Sequence, residues 1–284
     1  MVRGHVRGGA PTKRAGIVVQ TAKPEARRLA TLIEEWMRQA GVDVVVTMRW
    51  DQPLPEDIDC AIVLGGDGTL LSVARRASIR GIPILGINLG NVGFLTEVEP
   101  SQVEPALQAL VDGNCTIEER TMVEAVVLRN GQEVKRLSGL NDVVITKGAF
   151  ARIVQLEVFV NDTYFATFPA DGVIISSPTG STAYSLSAGG PLINPNIDVL
   201  LITPICPHSL FSRSLVIAGS DKVRVVVKAT QEDVAVTVDG QIGFELQSDD
   251  EIVVGRAPYV TRFVRLRAGN FYGILRERLK RDRL

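Results

Sequence analysis

Asp67 is the residue that most plainly invites chemistry. It lies in the stretch CAIVLGGDGTLL (residues 60–71), where an apolar strand pattern runs into the start of a helix, and Gly65, Gly66 and Gly68 surround the one carboxylate. Glycines at such a turn let a ligand come close to the backbone, and the free N–H groups of a helix start attract phosphate. The stretch is not a P-loop, because no Gly-Lys-Ser/Thr follows. Nor is it the dinucleotide fingerprint, because Leu71 occupies the third glycine position. A carboxylate among phosphates is repelled unless a divalent cation offsets the charge or the site needs a base. Nearby anions make a carboxylate a stronger base, suited to taking a hydroxyl proton during phosphoryl transfer. The plain alternative is a tight turn in which Asp67 caps the helix.

Further constellations lie along the chain. GINLGNVGFLTE (residues 86–97) places Asn88, Gly90 and Gly93 in a loop after another apolar strand. In SGLNDVVIT, Asn141 carries an amide suited to an adenine edge, and Asp142 a carboxylate suited to ribose hydroxyls. An Asn-Asp turn is the bland reading of the same pair. The longest signal is DGVIISSPTGSTAYSLSAGGPLINP (residues 171–195). A strand there ends at Ser176-Ser177-Pro178, and Thr179, Gly180, Ser181 and Thr182 lead into a short helix with Ala183, Tyr184 and Ser187. Small hydroxyls at a helix start make a polar pocket floor, and Tyr184 offers a flat face for a ring. A Ser/Thr-rich loop with a good N-cap reads the same way. Asp239-Gly240 is first of all a hairpin turn. His208 has no paired nucleophile or acid and reads as structural.

The elements that must position these residues change character near residue 116. Before it, strands (residues 15–20, 42–48, 60–64 and 82–88) alternate with helical patterns at 24–40, 69–77 and 101–112, which implies a parallel sheet covered on both faces. After it, alternating strands dominate, with turn signals at Asn130-Gly131 and Asp239-Gly240, as in an antiparallel sandwich. Residues 181–188 read as one helical piece within it, and 270–284 as a terminal helix that packs back on the first domain. The expected division is a disordered lead-in at 1–14, an α/β domain at 15–116 plus about 270–284, and a β-rich domain at 117–269.

The chain has 284 residues, 45% hydrophobic, and a net charge of −1, so no basic field points to nucleic acid. No apolar run approaches the roughly 18–20 residues that cross a membrane. Three widely spaced cysteines indicate neither a disulfide framework nor a zinc site, and the cytoplasm is the expected location. The basic run at 276–283 reads as a solvated helix end.

GGDGT resembles the signature of a superfamily that includes NAD kinases, diacylglycerol and sphingosine kinases and phosphofructokinase relatives. The loop at 86–97, the Asn141-Asp142 pair, the run at 171–195 and PICPHSLFSRSLVI (residues 204–217) resemble the NAD kinase family among these, over about residues 17–271. The resemblance implies an α/β domain plus a β-sandwich-like domain with NAD between them, and ATP-dependent phosphorylation of the 2′-hydroxyl of NAD's adenosine ribose. It implies Asp67 as proton acceptor with Gly66, Gly68 and Thr69 beside it, and Asn141 and Asp142 on adenosine or ribose groups. It brings Arg152, Asp171, Thr179, Thr182, Ala183, Tyr184, Ser185, Leu186, Ser187, Asp239 and Gln241 to the nucleotide site. It further implies ATP as donor, a divalent cation such as Mg²⁺ with no protein metal ligand named, and a homodimer or homotetramer. Where bacterial relatives often carry a basic residue two positions before Asp171, this chain has Pro169. Asp67 as base, as orienting acceptor or as partner of the cation all remain compatible with the sequence. Two other functions are disfavoured: a kinase of lipids or other alcohols by the run SSPTGSTAYSLSAGG and the lack of an apolar membrane-facing segment, and a dinucleotide sensor without activity by the intact Asp67.

Overall fold

Continuous apolar runs have to be buried on both faces, and the strands Arg14–Val19, Cys60–Leu64 and Ile84–Ile87 meet that need as neighbours in a parallel sheet. The computed structural model describes residues 7–20, 24–48, 52–89, 93–148, 153–208, 213–228, 233–266 and 271–281. The chain divides into two compact units: one holds the N-terminal part up to Glu119 together with the chain from Thr261 on, the other Arg120–Val260.

In the α/β unit the sheet order is Asp43–Thr47, Arg14–Val19, Cys60–Leu64, Ile84–Ile87 and then the end of Glu251–Arg265, through Phe263 beside Ile84. All these pairings are parallel. Helix Pro24–Gln39 and helix Val103–Val111 bury Ala30, Ile33, Met37, Ala106, Leu107 and Leu110 against Ile17, Ile62, Leu64 and Leu85. The first helix follows from apolar residues at 26, 29, 30, 33, 36 and 37, and Gly41 at φ +81 ends it. Helix Asp67–Ile79 packs on Cys60–Leu64 and Ile84–Ile87, burying Leu70, Val73, Ala74 and Ala77. Gly86 makes room for it, since a Cβ there would press on Leu70.

The β unit is a sandwich. One sheet runs Leu215–Ala218, Val199–Ile205, Gly172–Ser176, Asp142–Lys147, Val234–Val238, Ile242–Leu246, antiparallel throughout. The facing layer carries Thr163–Ala170, Val154–Val160, Val223–Lys228 and the first part of Glu251–Arg265. The hairpin of Thr116–Arg129 and Gln132–Gly139 continues that layer. Alternate residues point inward, so Val143, Ile145, Val173, Ile175 and Ile202 share a core with Leu156, Val158, Val223, Val225 and Ile252. The turns Asn130-Gly131 and Asp239-Gly240 have positive φ at both positions, as tight hairpins need.

Several expectations need correction. Of the lead-in expected to be disordered, residues 1–6 lie outside the described residues, whereas Arg7–Gly8 form a strand paired with Ile117 and Thr116. A Cβ at Gly9 would overlap the Cys115 sulfur, so glycine is what lets the segment lie there. The helix expected over 69–77 starts at Asp67, because the Gly66 carbonyl already accepts the N–H groups of Thr69 and Leu70. The helix expected over 181–188 is a 3-10 turn at Thr179–Thr182 followed by Tyr184–Ser187. Beyond the most regularly alternating runs, the structure adds three strands, Gln132–Gly139, Val199–Ile205 and Ile242–Leu246. The second tolerates Pro204 because its pairing with Leu215–Ala218 stops at Ile202.

One ion pair closes the sandwich edge. Arg129 donates to Asp250 through Nε (2.9 Å) and Nη2 (2.8 Å), and Asp250 also accepts the Gln247 N–H. The Asp250 side chain is buried while Arg129 is partly exposed. We predict that Asp250→Ala lowers unfolding stability by roughly 2–3 kcal/mol, below the 3–5 of a fully buried pair. Chemical denaturation measures this, and a loss under 0.5 kcal/mol would contradict it.

Candidate functional site

The glycine turn forms where the parallel sheet delivers two strand ends side by side. Leu64 and Ile87 are in register, and the Gly65 N–H donates to the Ile87 carbonyl at 3.1 Å. Thr69 is buried beneath Gly65, where a Cβ would collide with it, whereas Gly66 and Gly68 are exposed. Asp67 opens the helix behind the N-cap Gly66, and among the described residues its carboxylate makes no bond to its own helix. Its Oδ2 instead accepts the Phe94 N–H at 2.8 Å, and its Oδ1 the Leu95 N–H at 3.2 Å. A Cβ on Gly93 would overlap the carboxylate, so the neighbouring loop closes on Asp67 only with glycine there. Each carboxylate oxygen has two acceptor positions, so each keeps one for a further donor. The positive end of the helix dipole lies at the same place.

In the β unit a second set of residues converges on the start of strand Asp142–Lys147. The Asp239 carboxylate receives the N–H groups of Leu140 (3.1 Å), Asn141 (2.7 Å) and Asp142 (3.3 Å). The Asn141 carbonyl accepts from the Ser177 N–H at 2.8 Å, and Ser177 Oγ donates to the Leu140 carbonyl at 2.6 Å. The Gly180 N–H donates to Ser177 Oγ, and Gly180 lies so close to the Asn141 carbonyl that no Cβ fits. Asn141, Asp142, Asp239 and Thr179-Gly180 are therefore one assembly. Asp142 is only 4% exposed. Burial, and then the charge of Asp239, push its carboxyl up to about 7, and no hydrogen bond offsets them.

The remaining sequence-predicted residues fall at different places. Asp171 lies beyond the far end of Gly172–Ser176, whereas Asp142 is opposite Ser176, so about 16 Å of strand separates them at roughly 3.3 Å per residue. Asp171 pairs with Lys147 Nζ at 3.0 Å. Thr182 and Ala183 are half-buried, while Tyr184 (46%), Leu186 and Ser187 are exposed. Ser185 is fully buried, its hydroxyl 3.0 Å from that of Thr203. Gln241 is exposed after the hairpin turn. Arg152 and Gly90 lie outside the described residues. Sequence reasoning missed Arg120, a buried arginine whose Nη1 lies 3.4 Å from Thr179 Oγ1, and Lys147. It also missed the amides of Phe94 and Leu95. The only signal for Arg120 was a cation within an otherwise alternating strand. Among the described residues no three of His, Cys, Asp and Glu gather as a metal cage would require.

The sequence pattern of the ATP-NAD kinase N-terminal domain matches residues 49–115, and that of the C-terminal domain residues 140–266. The NAD kinase of Carboxydothermus hydrogenoformans is 45% identical over 93% of this chain and 94% of its own length. That of Moorella thermoacetica is 46% identical over 94% and 89%. Among solved structures, yeast NADH kinase complexed with NADH superposes with a TM-score of 0.83 at 24% identity, covering 95% of this chain and 89% of that one; this likeness speaks to the fold. An NAD kinase from Archaeoglobus fulgidus in complex with ATP gives 0.73 at 27% identity, over 88% and 92%.

The raised Asp142 carboxyl has a consequence for stability. The folded chain holds this proton from the ordinary value of 3.8 up to about 7, whereas the unfolded chain releases it near 3.8. The folded state is thus favoured at low pH and loses that advantage progressively as pH rises between those values. We predict that Asp142→Asn, which carries no charge, melts higher than the parent at pH 8 by a few °C, at about 2–4 °C per kcal/mol, and that the difference shrinks toward pH 4. Equal melting differences at pH 4 and pH 8 would contradict this.

Proposed function

The chain belongs to the NAD kinase family, and we propose that its residues divide the transfer of ATP's terminal phosphoryl group to the 2′-hydroxyl of NAD's adenosine ribose as follows. The observation that carries the reading is the Asp67 carboxylate, fixed by two backbone amides at an exposed glycine turn with acceptor capacity to spare. The ribose hydroxyl donates to that carboxylate, the new O–P bond forms at the 2′-oxygen, ADP leaves, and the hydroxyl proton passes to Asp67. Gly66, with open space where a Cβ would stand, lets phosphate oxygens approach the backbone, and the helix start favours their charge.

Asn141 and Asp142 hold the adenosine: the buried Asp142 carboxyl gains from ligand donors what the protein does not give it. Thr179, Thr182, Ala183, Tyr184, Leu186 and Ser187 supply small polar groups and one flat ring toward the same ligand. Asp171, on its Lys147 partner, marks a contact farther along the dinucleotide. Ser185 and Asp239 act through the fold, the first by its bond to Thr203 and the second by gathering three amides. Arg152 is assigned to the dinucleotide by resemblance alone.

The described residues fit a cation that arrives on the phosphates of ATP better than one caged by protein. Mg²⁺ commonly keeps several waters and binds through substrate phosphates with one or two carboxylates. When bound it neutralises phosphate charge. No helix of the described residues is long and apolar enough to cross a membrane. The reading extends to a homodimer or homotetramer working in the cytoplasm.

Incubation with ATP, Mg²⁺ and NAD should yield NADP, detected with an NADP-specific dehydrogenase. Chelation of the metal should stop turnover and added Mg²⁺ restore it. Saturable NAD binding without any NADP would make the chain a dinucleotide sensor instead.

A further inference from the structure

The loop that grips Asp67 is itself gripped by an arginine distant in sequence. Arg265 ends the strand Glu251–Arg265, and its side chain is 7% exposed. Its Nε donates to Glu118 at 2.6 Å, and its Nη1 donates to Glu97 at 2.9 Å and to the Leu95 carbonyl at 3.4 Å. The other Glu97 oxygen accepts the Leu266 N–H at 3.3 Å. The Glu97 and Val98 amides hold the Gly86 carbonyl, and Thr96 Oγ1 accepts the Gly93 N–H at 3.0 Å, so both ends of the turn are anchored. Leu95 is thus bound on its carbonyl side by Arg265 and on its amide side by Asp67.

We propose that Arg265 is a positioning residue for phosphoryl transfer: it fixes the Phe94 and Leu95 amides that aim the Asp67 carboxylate. This rests on the assignment of Asp67 as acceptor of the hydroxyl proton. A buried guanidinium that meets two carboxylates and a carbonyl has little freedom, and three charge-assisted bonds in a planar fork set the loop more tightly than a lysine could. Without it the Glu97 carboxylate loses its buried cation, and the Leu95 peptide loses its restraint. Reacting groups displaced by about 1 Å lose on the order of a hundredfold in rate.

The test is a double-mutant cycle on the full chain. Arg265→Lys keeps the positive charge but has one donor centre instead of a fork. We expect its kcat to fall about 10- to 100-fold, with KM for NAD and ATP within about threefold, because the substrates touch other residues. Placed in an Asp67→Asn background, the same change should lower the residual turnover, followed with radiolabelled ATP, by less than about twofold, since the group that Arg265 aims is already gone. A kcat within twofold of the parent, or an equal loss in both backgrounds, would overturn the proposal. Should Arg265→Lys fail to fold, Glu97→Gln makes a milder change on the same path, with a roughly threefold fall in kcat at unchanged KM expected and full activity overturning. Failure of the underlying assignment would look different: Asp67→Asn alone would then keep near-parental turnover.

Discussion

The chemistry proposed for this chain depends on where one negative charge is held. Asp67 could have capped its own helix, but its carboxylate instead crosses to the amides of Phe94 and Leu95 in the loop after the next strand. That crossing is possible only because Cys60–Leu64 and Ile84–Ile87 are parallel neighbours whose last residues are in register. Ligands of open parallel sheets bind at the carboxyl ends of strands, and here two such ends are sewn together by the acid. Gly93 is the steric condition for the seam, since a side chain there would occupy the place of the carboxylate.

The β unit solves a similar problem with the opposite sign of commitment. The Asp239 carboxylate accepts three backbone amides, which tie down the turn at Leu140–Asp142 without a ligand. The cost appears next door, where Asp142 is buried beside that charge and its carboxyl has no donor among the described residues. A polar group buried without partners destabilises a fold, and it remains useful where a ligand later supplies the bonds. The Ser177 and Gly180 contacts bind the small-residue run to the same turn.

What could be read from the sequence were features that repeat locally or hang on one residue type. The continuous runs AGIVV and CAIVL announced a parallel sheet, the alternation after residue 116 a sandwich, and Asn-Gly and Asp-Gly the hairpins that the structure shows. Gln132–Gly139 was hidden because its residues are mostly polar. The strand register that parts Asp171 from Asp142 leaves no trace in their spacing. Arg265 meets Glu97 and Glu118 from well over a hundred positions away, a contact that no local period encodes. Ser185, brought to the nucleotide site by resemblance alone, is buried on Thr203.

The central claim is that Asp67 serves the bond-making step rather than substrate binding. The most direct measurement is a single-turnover rapid-quench experiment on Asp67→Asn with NAD, ATP and Mg²⁺ bound beforehand. The account predicts that the transfer step slows by roughly 10²–10⁴-fold while the dissociation constant of NAD changes little. A transfer rate within a few-fold of the parent, or a loss explained by weaker NAD binding, would contradict it.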